Sequence, residues 1–139
     1  MRMSQIFTSQ IFTSKKILVL SSLAAVLMAA SPAFADGDAA NGEKVFIKCK
    51  ACHENEQGVN KIGPTLKGIV GRKTASVEGY TYSEAMKAKG DAGQVWDEAT
   101  LAAYLPDPKA YVPGTKMAFA GLKNPQEVAD IIAYLKTKP

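Results

Sequence analysis

Outside one stretch of five residues this sequence has no cysteine and no histidine. Cys49, Cys52 and His53, within "FIKCKACHENE" (Phe46 to Glu56), are the entire supply. That scarcity excludes a framework of several disulfides. It also leaves a tetrahedral zinc site one ligand short. Long apolar runs are scarce as well: the longest, "ILVLSSLAAVLMAA" from Ile17 to Ala30, is fourteen residues, against the ~20 that a membrane-spanning helix needs. Charge of one sign is not in excess. The chain has 17 basic and 13 acidic residues, and without Arg2, Lys15 and Lys16 the balance is 14 to 13, which argues against nucleic-acid binding through bulk charge. The period-two alternation of half-buried strands is absent too, as are linkers and low-complexity tracts.

What is present begins with a leader. Arg2, Lys15 and Lys16 are its positive part, Ile17 to Ala30 its apolar part, and "SPAFA" ends in the small-x-small pattern Ala33-Phe34-Ala35. These are the parts of a secretory signal peptide, with cleavage expected after Ala35. Residues 1–35 are therefore assigned to the signal and 36–139 to one small domain. An uncleaved anchor is the alternative, disfavoured by the shortness of the run. The expected address is the bacterial periplasm. The duplication "SQIFTSQIFTS" (Ser4 to Ser14) is too short for a structural repeat; it lengthens the leader, or translation starts at Met3.

Caps and spacing predict an all-α domain. A first helix is expected over Ala39 to Cys49, with Asp38 as N-cap and Gly42, Val45, Phe46 and Cys49 on one face. Gly42 would let another helix approach closely. The last helix has Asn124 as N-cap, Pro125 at its first position, Glu127 completing a capping box, and Val128, Ile131, Ile132 and Leu135 as its apolar stripe, ending near Lys136. Asp97 caps a segment with Leu101, Tyr104 and Leu105 that Pro106 and Pro108 stop. A shorter helix near Ser83 to Lys89 ends at Gly90. The remaining segments, "GVNKIGPTLKGIVGRKT" and "PDPKAYVPGTKMAFAG", are rich in Gly and Pro and are expected as loops. Loops of that length in a small domain suggest that a cofactor organises them.

Cys-x-x-Cys has three ordinary explanations. Zinc lacks its fourth ligand, and a thioredoxin-like redox pair lacks the βαβ surroundings. Cys-x-x-Cys-His is specific for the third, covalent haem attachment: two thiols add to the porphyrin vinyl groups, and the adjacent His53 ligates the iron. A buried, merely hydrogen-bonded His53 is the bland alternative. An iron that only passes electrons needs a second protein ligand, and one that binds a substrate needs an open position; with no second histidine, the candidates for that ligand are Met86 and Met117. Either could be core packing on spacing alone. Met117 is favoured because "YVPGTKMAF" is an irregular loop able to present a side chain to a flat cofactor, whereas Met86 lies on a short amphipathic segment.

Through "GEKVFIKCKACH", "GPTLKGIVGRKT", "GYTYSEA", "YVPGTKMAFAG" and "DIIAYLK" the sequence resembles the class I cytochromes c, closest to the cytochrome c2 and mitochondrial cytochrome c branch, over nearly all of Asp36 to Pro139. The resemblance implies a small cytochrome c fold of helices and long loops wrapped around one haem c. It implies that Met117 ligates the iron and that the Pro64 carbonyl accepts a hydrogen bond from the other imidazole nitrogen of His53. It further implies that Arg72, Tyr82 and Trp96 hold the propionates, that Tyr104 and Thr115 make polar contacts around the methionine and inner propionate, and that Gly42 and Phe46 pack against Ile131, Tyr134 and Leu135. Met86 stands where the family commonly has an Asn, which puts the buried water network there in doubt. The segment "KAKGDAGQVW" is two residues longer than in the mitochondrial branch.

The function this implies is a soluble, monomeric periplasmic electron carrier, not an enzyme, with His/Met ligation and no membrane span after cleavage. A soft thioether favours ferrous iron and raises the potential. Partners would be membrane redox complexes: a cytochrome bc1 complex as donor, and a terminal oxidase, a photosynthetic reaction centre or a reductase as acceptor. Lys48, Lys61, Lys109, Lys116 and Lys123 match positions that ring the haem edge, with Phe119 over it, and would steer docking onto acidic faces. A haem peroxidase or gas-binding sensor, with Met117 off the iron, is the alternative; a peroxidase would want distal acid-base residues, and there is no second histidine to supply one.

Overall fold

Five helices in a frame of long loops make up the computed structural model, which describes residues 36–139. The signal peptide, its cleavage after Ala35 and the duplication lie outside those residues. No helix among the described residues is long and apolar enough to cross a membrane.

α1 spans Ala39–Lys50 and starts where expected: the Asp38 carboxylate accepts from the backbone N–H groups of Ala40 and Asn41. These are two of the donors that every helix start leaves without intrahelical partners. α5 spans Pro125–Lys136, and here one expectation is corrected. Asn124 caps it by accepting from Gln126 N, but Glu127 does not complete a capping box. Its carboxylate is turned to Lys48 Nζ, 2.6 Å away on α1. An ion pair between the two helices stands in place of the expected local hydrogen bond to Asn124 N.

α1 packs on α5 through the predicted faces. Gly42, Val45 and Phe46 are buried on α1, and Val128, Asp130, Ile131, Ile132, Tyr134 and Leu135 on α5. The Phe46 and Tyr134 rings lie 5.5 Å apart between centroids, in the tilted arrangement aromatic pairs favour. Gly42 lies so close to α5 that a Cβ there would be 2.0 Å from the Asp130 carbonyl oxygen. The Asp130 side chain reaches back and accepts from Asp38 N, tying the start of α1 to the middle of α5.

Between these helices lie three shorter ones. α2 covers Glu84–Asp91 with Ser83 as N-cap. It runs past Gly90, expected as its end; Gly90 is buried where a Cβ would meet the Thr74 carbonyl, and the turn falls instead at Gly93, with φ of 83°. α3 covers Glu98–Tyr104, capped by Asp97 as expected. α4, Pro108–Tyr111, corrects the expectation of an uninterrupted loop after Pro106. Pro108 stops α3 and also starts α4, because proline's missing N–H and fixed φ suit a first helical position, and Asp107 caps the turn from Ala110 N.

The only pairing of extended backbone among the described residues is a single bridge between Lys73 and Val95. Its flanking bonds, Trp96 N to Arg72 O at 2.9 Å and Thr74 N to Gln94 O at 2.9 Å, close the loop after Gly63 onto the segment before α3. Among the described residues one buried side-chain group is unsatisfied: Asn55, 5% exposed, has no partner for its amide nitrogen. Such a donor costs about 1–3 kcal/mol of desolvation. We expect Asn55→Val to stabilise the protein by about 1 kcal/mol or more, read as a raised urea midpoint with unchanged m-value; a lowered midpoint would refute this.

Candidate functional site

One cleft gathers every residue expected to hold or contact a cofactor. Its walls include Cys49, Cys52, His53, Pro64, Arg72, Tyr82, Trp96, Tyr104, Thr115 and Met117. The space among these residues, counted out into open solvent at the mouth, is about 1040 Å³. The rest of the wall is mainly apolar. Leu66, Ile69, Leu101, Leu105 and Leu135 lie there with Phe119, and Met86 lines it too.

Local folding explains how the attachment residues are presented. Cys49 sits in the last turn of α1, and Cys52 N and His53 N both donate to Cys49 O, at 3.0 and 2.9 Å. The chain thus turns once more and brings all three side chains to one wall. His53 Nδ1 lies 2.8 Å from the Pro64 carbonyl oxygen, as the resemblance implied. That contact fixes Nδ1 as the donor and leaves the Nε2 lone pair free to ligate. Gly63 has to be glycine: a Cβ there would stand 2.2 Å from His53 Cε1. Burial pushes the His53 pKa down, with the Pro64 bond opposing and Lys61 reinforcing the shift. Burial pushes the Cys49 thiol up, against the pull of Lys48. Both cysteines are free thiols, so no disulfide competes for them.

Met117 lies on the loop after α4. Its backbone N–H donates to Thr115 Oγ1 at 3.2 Å, and its sulfur accepts from the Tyr104 hydroxyl at 3.5 Å. Tyr104 is 7% exposed and is packed against Trp96, with ring centroids 4.8 Å apart. Its burial pushes the phenol up to about 12, with a hydrogen bond to Thr115 opposing, so the hydroxyl remains a donor across the working range.

Arg72 donates to two backbone carbonyls, Lys67 and Thr65, both at 2.8 Å. Val77 N donates to the Tyr82 hydroxyl at 3.4 Å. Burial lowers the Arg72 pKa and raises that of Tyr82. Arg72 and Trp96 are joined through backbone by the bond noted above, an arrangement that no local sequence signal announces. Tyr80 was not singled out from the sequence. It lines the cleft, donates to the Ile62 carbonyl at 3.0 Å and packs edge-on against Tyr82 at 4.8 Å.

The donor chemistry fits a haem. Two thiols, one imidazole and one thioether line a largely apolar cleft, a setting for a flat apolar group carrying a soft-liganded metal. No cluster of three or more His, Cys, Asp or Glu able to hold a metal ion occurs among the described residues.

Residues 39–138 match the family model described as cytochrome c. The chain belongs to the cytochrome c family. It is 47% identical to a cytochrome c2 of Rhodomicrobium vannielii, over 88% of this chain and 97% of that one. It is 53% identical to a cytochrome c of Gibberella zeae, over 73% and 95% respectively. Among solved structures, cytochrome cH from Methylobacterium extorquens is 55% identical with a TM-score of 0.67, covering 73% of this chain and all of that one. The cofactor of this family is covalently attached haem c, and Cys49 and Cys52 are the cysteine pair at the required spacing. Its members of the cytochrome c2 type carry electrons rather than transform substrates.

The expected docking lysines are all exposed, but only Lys48 and Lys116 line the cleft. Lys48 is paired with Glu127. Lys61, Lys116 and Lys123 donate instead to the backbone carbonyls of Lys50, Thr81 and Pro106. No carboxylate forms a salt bridge to these three or to Lys109 among the described residues.

Proposed function

We propose that this protein is a soluble periplasmic electron carrier in which Cys49 and Cys52 anchor a single haem c and His53 and Met117 are its axial ligands. The observation that carries the reading is the gathering of Met117, under the Tyr104 hydroxyl, into the same cleft as the attachment motif. When bound, the haem supplies a one-electron couple. The chain's own part is to hold both ligands still. His53 is oriented by Pro64 and crowded by Gly63, and Met117 is tethered through Thr115 and Tyr104. Ligands fixed by packing and hydrogen bonds need little rearrangement between oxidation states, and an apolar wall favours the less charged one. Arg72, Tyr82 and Trp96 are the groups available to the propionates.

The experiment is an optical spectrum of the oxidised protein near neutral pH. The near-infrared sulfur-to-iron charge-transfer band should be present, and its absence would overturn the ligation.

Transfer would run from a cytochrome bc1 complex to a terminal oxidase, a photosynthetic reaction centre or a reductase, docked over the exposed lysines. Because these charges are solvent-exposed, salt should screen the attraction strongly. Reoxidation by the purified acceptor should slow about tenfold or more as ionic strength rises from about 0.01 to 1 M, over which the Debye length falls from about 30 to about 3 Å. Lys116→Glu should slow the low-salt rate and converge with the parent at high salt; Lys73→Glu should do neither. Rates indifferent to salt would sink the docking surface.

A further inference from the structure

Glu54, the residue after His53, is held far more tightly than an ordinary polar loop residue. One carboxylate oxygen accepts from the backbone N–H groups of Glu56 and Gln57, and the other from Val59 N at 3.0 Å. The loop after the histidine is thereby wound around a single side chain. The same residue also grips the far side of the cleft wall. Its backbone carbonyl accepts from Leu66 N at 2.6 Å, and the Thr65 hydroxyl is shared between that carbonyl at 3.3 Å and the carboxylate at 3.4 Å.

Thr65 is 6% exposed and follows Pro64, whose carbonyl meets His53 Nδ1. Every polar group of Thr65 is engaged. Its N–H donates to Asn60 Oδ1 at 3.0 Å, its carbonyl accepts from Arg72, and its hydroxyl oxygen accepts from Lys67 N at 3.1 Å. On the other side of Pro64, Gly63 N donates to Cys52 O at 2.8 Å. The Pro64 carbonyl therefore cannot shift without breaking bonds at one neighbour or the other. Burial of the imidazole alone does not provide this constraint.

We propose that Glu54 and Thr65 act as a positioning pair that holds the Pro64 carbonyl against His53 Nδ1 and so sets the donor strength of the iron-ligating imidazole. The proposal rests on the reading of His53 as an axial ligand. A firmly held acceptor at Nδ1 makes the ring a stronger donor through Nε2, which favours the oxidised state. Loosening it should raise the reduction potential and let the Nδ1 proton exchange with solvent.

The test uses the haem-loaded protein and the variants Thr65→Val, Thr65→Ser, Glu54→Gln and Glu54→Ala. Two quantities are read, the reduction potential and the solvent exchange rate of the His53 Nδ1 proton by NMR. Thr65→Val changes no charge, and it should raise the potential and speed exchange by about tenfold or more, the scale on which outer partners of metal-bound histidines act. Thr65→Ser, which keeps the hydroxyl, should restore both. Glu54→Ala should speed exchange more than Glu54→Gln, since the amide oxygen can still accept from the loop. If exchange is unchanged in Thr65→Val and Glu54→Ala, the pair is merely structural and the proposal fails. A shift in potential of the same size in Glu54→Gln and Glu54→Ala, without faster exchange, would assign the effect to lost charge and also overturn it. The sulfur-to-iron band of the parent protein reports Met117 separately, so failure of the His/Met reading is distinguishable.

Discussion

Replacing Met117 with leucine is expected to abolish the near-infrared sulfur-to-iron band and to lower the reduction potential by a sizeable part of the ~0.8 V that axial ligand choice spans. Leucine has nearly the same volume, so packing should lose less than about 1.5 kcal/mol and the urea transition should survive. The optical and electrochemical losses can then be read as loss of a ligand and not of the fold. The Tyr104 hydroxyl, 3.5 Å from the sulfur in the parent, loses its acceptor in the same variant. An open axial position should also admit peroxide. Activity should stay weak, because His53 is the only histidine in the chain, and a positioned acid or base commonly contributes about 10²–10⁴-fold. Met86 is the control. It is the other methionine lining the cleft, on α2, and Met86→Leu should leave the band in place. If Met86→Leu removed the band and Met117→Leu did not, the two assignments would have to be exchanged.

Sequence and structure part at identifiable places. Helix starts were legible because caps are local. Asp38, Asp97 and Asn124 accept from N–H groups two or three residues away, so the sequence carries both partners. Glu127 misled because its local partner competed with Lys48, 79 residues distant. The attachment motif was legible for the same reason as the caps: the porphyrin requires its anchors and its ligand to be neighbours. Met117 was reached by a shortage of alternatives and by the character of its loop. Arg72, Tyr82 and Trp96 came only from the family resemblance, since a bridge between segments more than twenty residues apart assembles two of them. Leu101 and Leu135 lie on apolar helix stripes visible in the sequence, a signal that could also have flagged them as cleft wall. The role of Glu54 left no trace, because its carboxylate binds backbone amides, which every residue type supplies.

The second large effect concerns Gly42, where two physical terms oppose each other. In an exposed helix position, glycine to alanine should stabilise by about 0.8–1.0 kcal/mol through propensity alone. At Gly42 the added Cβ would stand 2.0 Å from the Asp130 carbonyl oxygen, 2.6 Å from its carbon and 2.6 Å from Tyr134 Cβ. These are backbone and near-backbone atoms of α5, and no rotamer change moves them away. The helices must separate, loosening the Phe46–Tyr134 contact and the Asp38–Asp130 bond. We expect Gly42→Ala to cost about 3 kcal/mol or more, a large fraction of the 5–15 kcal/mol that keeps a typical domain folded. The damage should reach the site, because α1 carries Cys49 and α5 carries Leu135, both in the cleft wall. Asn41→Ala, one position away and exposed, isolates propensity and should stabilise slightly. Urea unfolding of the three haem-loaded proteins decides between the terms: if Gly42→Ala behaves like Asn41→Ala, the helices do not meet backbone to side chain at that residue.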